Sequence, residues 1–128
     1  MDSSPAVRVR EFHRAFGLDA RAVPTDVSPD LARHRQDLRH EEVAEAVRGG
    51  SIEQIAHELA DVVHVAYGTA LVHGIDLDAV IAEVHRANMS KLGPDGRPAR
   101  RADGKVLKGE HYRAPDVAAV LRRQTAGD

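Results

Sequence analysis

The stretch that decides the fold runs from residue 28 to residue 73: SPDLARHRQDLRHEEVAEAVRGGSIEQIAHELADVVHVAYGTALVH. Its apolar residues recur near every 3.6 positions and nowhere alternate for long, so it reads as helix and not as strand. Ser28-Pro29 is a good N-cap and first-turn pair, and opens one helix that lasts to Gly49-Gly50. Ser51, with Gln54 three residues on, is a capping box for the next helix, which runs to about His73-Gly74. A turn of about two residues leaves two such helices antiparallel, as a helical hairpin.

Outward from the hairpin the same periodicity continues. A first helix is expected over Ala6 to Phe16, stopping at Gly17, and Leu18 to Val27 with Pro24 is a loop. Asp76 caps a fourth helix ending near Leu92-Gly93; a Gly-, Pro- and Arg-rich loop follows, and Pro115 starts a short last helix. The expected fold class is all-α, a helical bundle of one domain over residues 1–128.

The bulk numbers agree. The 128 residues are 42% hydrophobic and 30% charged, an ordinary globular composition. Aromatics make up 3% with no Trp, leaving Leu, Ile, Val and Ala to pack the helices. The absence of Cys excludes disulfides and thiolate metal sites. Met1 to Arg10 carries no apolar leader core and no apolar run nears membrane-spanning length, so a cytoplasmic address without membrane contact is expected.

Charge is unevenly spread. Glu41, Glu42, Glu45, Glu53, Glu58 and Asp61 face a single base, Arg48, over residues 41–61, whereas residues 86–113 hold eight bases against three acids. An acidic block beside a basic block suits a metal site next to a polyphosphate site; two solvated faces are the plainer alternative.

The hairpin gives the acids their geometry. Glu42 with Glu45, and Glu58 with Asp61, stand at i and i+3, one turn apart on one face. The two pairs lie unequally far from the turn, by roughly 6 Å along the axis at about 1.5 Å per residue, which lets all four meet across the helices. Glu58 falls among Ile55, Val62 and Val65, and Glu42 continues the stripe of Leu31, Leu38 and Ala46 with Arg35 close by. Ionised carboxylates in an apolar stripe need partners. A hard dication supplies one, and oxygen-only ligands favour Mg²⁺, with Mn²⁺ as a substitute. The alternative is ordinary pairing with Arg35, Arg39 or Arg48.

EExxE, twelve residues, then ExxD resembles the MazG-type all-α nucleotide pyrophosphohydrolases, a superfamily that includes dimeric dUTPases, dCTP pyrophosphatases and phosphoribosyl-ATP pyrophosphohydrolase. REFHRAFG near the start, VHRANMSK on the fourth helix and DGKVLKGEHYRAPD near the end extend the resemblance over nearly the whole chain. It implies Glu42, Glu45, Glu58 and Asp61 as metal ligands, with Glu41 adjoining them, and Glu41 and Glu42 as candidates for the base that takes a proton from water. It implies water attack on the α-phosphorus of a nucleoside triphosphate, release of pyrophosphate, and a homodimer or homotetramer.

Other residues follow. Asn88 is expected on the core face of the fourth helix in line with Leu77, Ile81 and Val84, with Lys91 one turn on, both candidates for sugar or phosphate. Lys105, Lys108 and Tyr112 lie among glycines in a basic loop over residues 93–114, suited to closing on a triphosphate. Phe12, His13 and Phe16 on the first helix are either core packing or, as the FH segment of relatives implies, a base pocket. No GxxxxGK[ST] is present, so the chain is not a P-loop protein. No histidine has zinc spacing, and His57 and His64 are expected at the surface. The basic stretch lacks interleaved aromatics beyond Tyr112, so nucleic-acid binding is not expected.

The expected function is Mg-dependent hydrolysis of a (deoxy)nucleoside triphosphate, pyrimidine or non-canonical, in a house-cleaning role. Two alternatives stand beside it. One is hydrolysis of phosphoribosyl-ATP, which the FH segment and basic tail fit less well. The other is a non-catalytic metal-binding helical scaffold, although the acids lack the Glu-x-x-His pattern of di-iron bundles.

Overall fold

A computed structural model describes residues 4–126, and its regular structure is five helices and one short β hairpin. The helices are α1 (Pro5–Ala15), α2 (Pro29–Arg48), α3 (Ile52–His73), α4 (Leu77–Met89) and α5 (Val117–Thr125). The all-α class holds, and the sequence signals sit at the helix ends for identifiable reasons. The Ser28 hydroxyl accepts from the Leu31 amide with Pro29 at the first helical position. Ser51 and Gln54 make both bonds of the capping box, at 3.2 and 2.9 Å. Between them Gly49 and Gly50 have φ of 73° and 131°, a region in which a Cβ is strained, so the reversal from α2 to α3 needs glycine.

The chain forms two compact units, dividing after Leu77. In the first, α3 packs against both α1 and α2. Its core sits at the C-terminal half of α3, where Val65, Tyr67, Ala70, Leu71 and Val72 are buried together with Val9 of α1. The other half of the hairpin, which carries the acids, is poorly covered: Val47 and Ile52 are each 79% exposed, and Val43, Leu59 and Val63 are exposed as well.

The second unit differs from expectation in three places. The segment expected as a loop contains a small antiparallel hairpin, β1 (Ala99–Arg100) with β2 (Val106–Leu107), pairing Ala99 with Leu107 and Arg100 with Val106. Its turn is built by Asp103, which accepts from the Lys105 amide and forms a 2.7 Å ion pair with Arg101. The last helix is capped by Asp116, whose carboxylate accepts from the Ala119 amide, and so begins two residues beyond Pro115. The third difference is Asn88. It is exposed, as are Ile81 and Val84 of the stripe it was expected to extend, and the buried residue of α4 is Ala87. A stripe on a helical wheel identifies an apolar face, and does not say whether the same chain covers it.

Candidate active site

The first unit holds a cleft of about 490 Å³ lined from all three of its helices. Glu42 of α2 and Asp61 of α3 lie on its wall with His64. Phe12, Leu18, Leu31, Leu38, Val65 and Val72 supply apolar lining, and His13, His34 and Arg35 polar groups. The cleft is therefore acidic at one place and apolar over much of the rest, the contrast that a phosphorylated molecule with a planar base requires.

The acids are strained electrostatically. Burial pushes the Glu42 carboxyl above the ordinary carboxylate range, the charges of Asp61, Glu45 and Glu41 push it further, and His57 offsets part of the rise. His57 Nε2 stands 3.3 Å from an Asp61 carboxylate oxygen, an ion pair whenever the imidazole is protonated, and Arg48 pairs with Glu45 at 3.8 Å. Glu58 is half-buried, and its Oε1 is wholly buried without a hydrogen-bond partner among the described residues. Glu41 is exposed. Of the five expected acids, then, Glu42 and Asp61 share the cleft, Glu45 and Glu41 reach Glu42 through charge, and Glu58 keeps an unanswered buried oxygen. Among the described residues no three His, Asp or Glu side chains close into a set that holds a metal ion as they stand. The donors nevertheless fit a hard dication: they are carboxylate oxygens, one orphaned and one destabilised by like charge, and a cation relieves both.

The N-terminal residues find places on the cleft. Phe12 is 40% exposed; it meets His64 edge-on, ring centroids 5.0 Å apart, and Phe16 in a tilted contact at 4.7 Å. Core packing for Phe12 and Phe16 is excluded by their exposure, since Phe16 is 69% exposed. His13 is 2% exposed, and its Nδ1 meets the Asp19 carbonyl at 2.8 Å. A carbonyl only accepts, so Nδ1 carries the proton. His64 is exposed, as expected, and it also lines the cleft beside the acids. His57 pairs with Asp61 one turn away, whereas His64 meets the Phe12 ring.

Arg35 has a role the sequence did not reveal. Of the three bases weighed as alternative partners for the acids, Arg48 pairs with Glu45, whereas Arg35 is buried and donates from Nε to Thr69 Oγ1 and from Nη2 to the Val65 carbonyl, each at 3.2 Å. The available signal was its position seven residues before Glu42, on the same face of α2.

Asn88, Lys91, Lys105, Lys108 and Tyr112 belong to the second unit. Lys91 lies past the end of α4, where its carbonyl accepts from the Gly109 amide at 3.0 Å. Lys105 and Lys108 are exposed, and Lys108 Nζ stands 4.9 Å over the Tyr112 ring. A clasp unforeseen from the sequence ties the segment before α5 to α4. Glu83 accepts from both Arg86 and the Asp116 amide at 2.8 Å, while Ser90 Oγ accepts from the Arg113 amide at 3.0 Å. Those bonds hold Glu83 far below its usual range, at about 2.

Comparison with known proteins places this geometry. A relative, an uncharacterised protein of Acanthamoeba polyphaga mimivirus, is 33% identical over 97 residues, covering 70% of this chain and 36% of the viral protein. The chain thus spans about a third of that relative's length. The family model for phosphoribosyl-ATP pyrophosphohydrolase matches residues 9–88, from α1 to the end of α4, and includes the cleft, the acids and the hairpin. The chain belongs to the phosphoribosyl-ATP pyrophosphohydrolase family of MazG-like all-α nucleotide pyrophosphohydrolases.

Proposed function

We propose that this protein hydrolyses a nucleoside triphosphate, a pyrimidine or non-canonical deoxynucleotide, to the monophosphate and pyrophosphate. The observation that carries the reading is the shared cleft, with Glu42 and Asp61 on one wall and an apolar lining from Phe12 to Val72. Glu42, Glu45, Glu58 and Asp61 would hold Mg²⁺ or Mn²⁺. When bound, the ion neutralises phosphate oxygens and acidifies bound water. Glu42, with its affinity for protons raised by burial first and then by the charges around it, is a candidate to take a proton from the attacking water, and Glu41 is the other carboxylate in that charge cluster. The apolar lining excludes water from the base and fixes the nucleotide so that its α-phosphorus is presented to the acids. Asn88, Lys91, Lys105, Lys108 and Tyr112 are proposed to bind sugar and phosphates, and the active unit to be a homodimer or homotetramer.

Hydrolysis of phosphoribosyl-ATP is a second reading, favoured by the description of the matching family. One assay separates them. Purified protein with Mg²⁺ is given each canonical and modified deoxynucleotide and phosphoribosyl-ATP at micromolar concentration, and pyrophosphate is measured. The main reading expects turnover of a deoxynucleotide; turnover of phosphoribosyl-ATP alone transfers the conclusion to the second reading, and no turnover of either refutes both.

A further inference from the structure

Arg35 is 8% exposed and lines the cleft, yet among the described residues no carboxylate lies within ion-pair distance of it. A buried guanidinium without a counter-charge is costly unless something else uses it. Its orientation is fixed from α3. Nε donates to Thr69 Oγ1, Nη2 donates to the Val65 carbonyl, and the Thr69 hydroxyl itself donates to that carbonyl at 2.9 Å. Gly68 makes the approach possible: a Cβ there would lie 2.5 Å from Arg35 Nη2 and 3.0 Å from His13 Nε2. Nη1 makes no hydrogen bond with the described residues. The result is a rigid cation with donors to spare, on a wall shared with Phe12, Leu31, Leu38 and Val65.

Arg35 and Glu42 are seven residues apart on α2, two turns, or about 10 Å along the axis. That span matches the distance between the far edge of a nucleobase and its α-phosphate. The apolar neighbours of Arg35 suit the plane of a base and make a poor solvent for a triphosphate. We propose that Arg35 reads the base, and that it selects bases presenting a carbonyl oxygen at that edge over those presenting an amino group. A guanidinium has donors and no acceptor. An oxo edge accepts from it; an amino edge sets N–H against N–H and leaves the buried charge unanswered. The inference rests on the nucleotide pyrophosphohydrolase reading of the cleft.

The test compares pairs that differ in oxo against amino, dUTP with dCTP and dITP with dATP. kcat/KM is measured on the full chain with Mg²⁺, together with calorimetric Kd for dUMP and dCMP without metal. Wild type should favour the oxo member of the better pair by at least about tenfold, the scale of one charged hydrogen bond. Arg35→Gln, able both to donate and to accept, should bring that ratio near unity while remaining folded by circular dichroism. If it does not fold, Thr69→Val, which removes one bond orienting the guanidinium, should lower the same ratio. A wild-type ratio near one or in favour of the amino member overturns the inference, as does an equal loss for both members in Arg35→Gln, which would mark a phosphate contact. Hydrolysis without discrimination sinks the role of Arg35 alone. Discrimination between dUMP and dCMP without hydrolysis sinks the enzymatic reading and leaves Arg35 as a base reader.

Discussion

Glu42 and Asp61 stand on antiparallel helices and face one cleft, and the charge of Asp61 adds to burial in opposing ionisation of Glu42. The acidic end of the hairpin is thus held together by α2 and α3 against its own repulsion. This sets the first prediction. Glu42→Gln, Glu58→Gln and Asp61→Asn should each lower turnover by orders of magnitude while the fold persists. A group whose proton affinity is raised on folding stabilises the fold below its ordinary pKa and loses that contribution as pH rises. Ionised Glu42 is therefore a liability at neutral pH, and metal-free Glu42→Gln should melt no lower than wild type. The difference should vanish in acid, where both states are protonated. A neutral-pH melting point well below wild type would contradict the argument.

Glu83 predicts the opposite pH dependence. Held by Arg86 and the Asp116 amide, it falls from 4.5 to about 2. Its contribution is present above its ordinary pKa and disappears as pH falls through the lower value. Glu83→Gln should destabilise the protein at neutral pH, and the gap to wild type should close towards about pH 2. Melting curves across that range check it; a gap independent of pH would show that charge plays no part in the clasp.

The start of α2, the start of α3 and the turn between them were legible because each is written locally. Ser28-Pro29, the Ser51–Gln54 box and Gly49-Gly50 act within one turn of chain, and no distant residue is needed to interpret them. The burial of Glu58 was legible too, since its neighbours Ile55, Val62 and Val65 share its face. What failed depended on partners far along the chain. Asn88 was expected to face the core but continues an apolar stripe that is exposed, and the bonds of Arg35 to Val65 and Thr69, 30 and 34 residues away, had no local sign. The Glu83–Asp116 contact joins residues 33 apart, with only the Glu83–Arg86 spacing as a hint.

The basic segment yields a third prediction. Lys105 and Lys108 are exposed, and their backbone is held by the Asp103 turn and the short hairpin, so their ammonium groups contribute little to stability. If they grip the triphosphate, each contact is worth about 1.5–3 kcal/mol. Replacing both with Ala should lower kcat/KM by at least about tenfold and leave the melting point and metal binding unchanged. Wild-type kinetics in the double variant would leave the phosphates to Lys91 and the metal.

Assembly is the fourth. Val47, Ile52, Leu59 and Val63 are exposed on the acidic half of the hairpin, and Ile81 and Val84 on α4. Apolar faces of that extent are characteristic of interfaces. Light scattering at micromolar concentration should give the mass of a homodimer or homotetramer. Ile52→Glu with Leu59→Glu should shift it towards the monomer; a wild-type monomer would contradict the prediction.

The central claim is the bond that is cut. Purified protein is incubated with Mg²⁺ and dUTP, dCTP, dITP or dATP in water labelled with ¹⁸O, and the products are resolved by phosphorus NMR and mass spectrometry. Attack at the α-phosphorus predicts monophosphate and pyrophosphate, with the label in the monophosphate, and loss of both products in Glu58→Gln. Diphosphate with inorganic phosphate, label in the pyrophosphate, or unchanged turnover in Glu58→Gln would contradict the account.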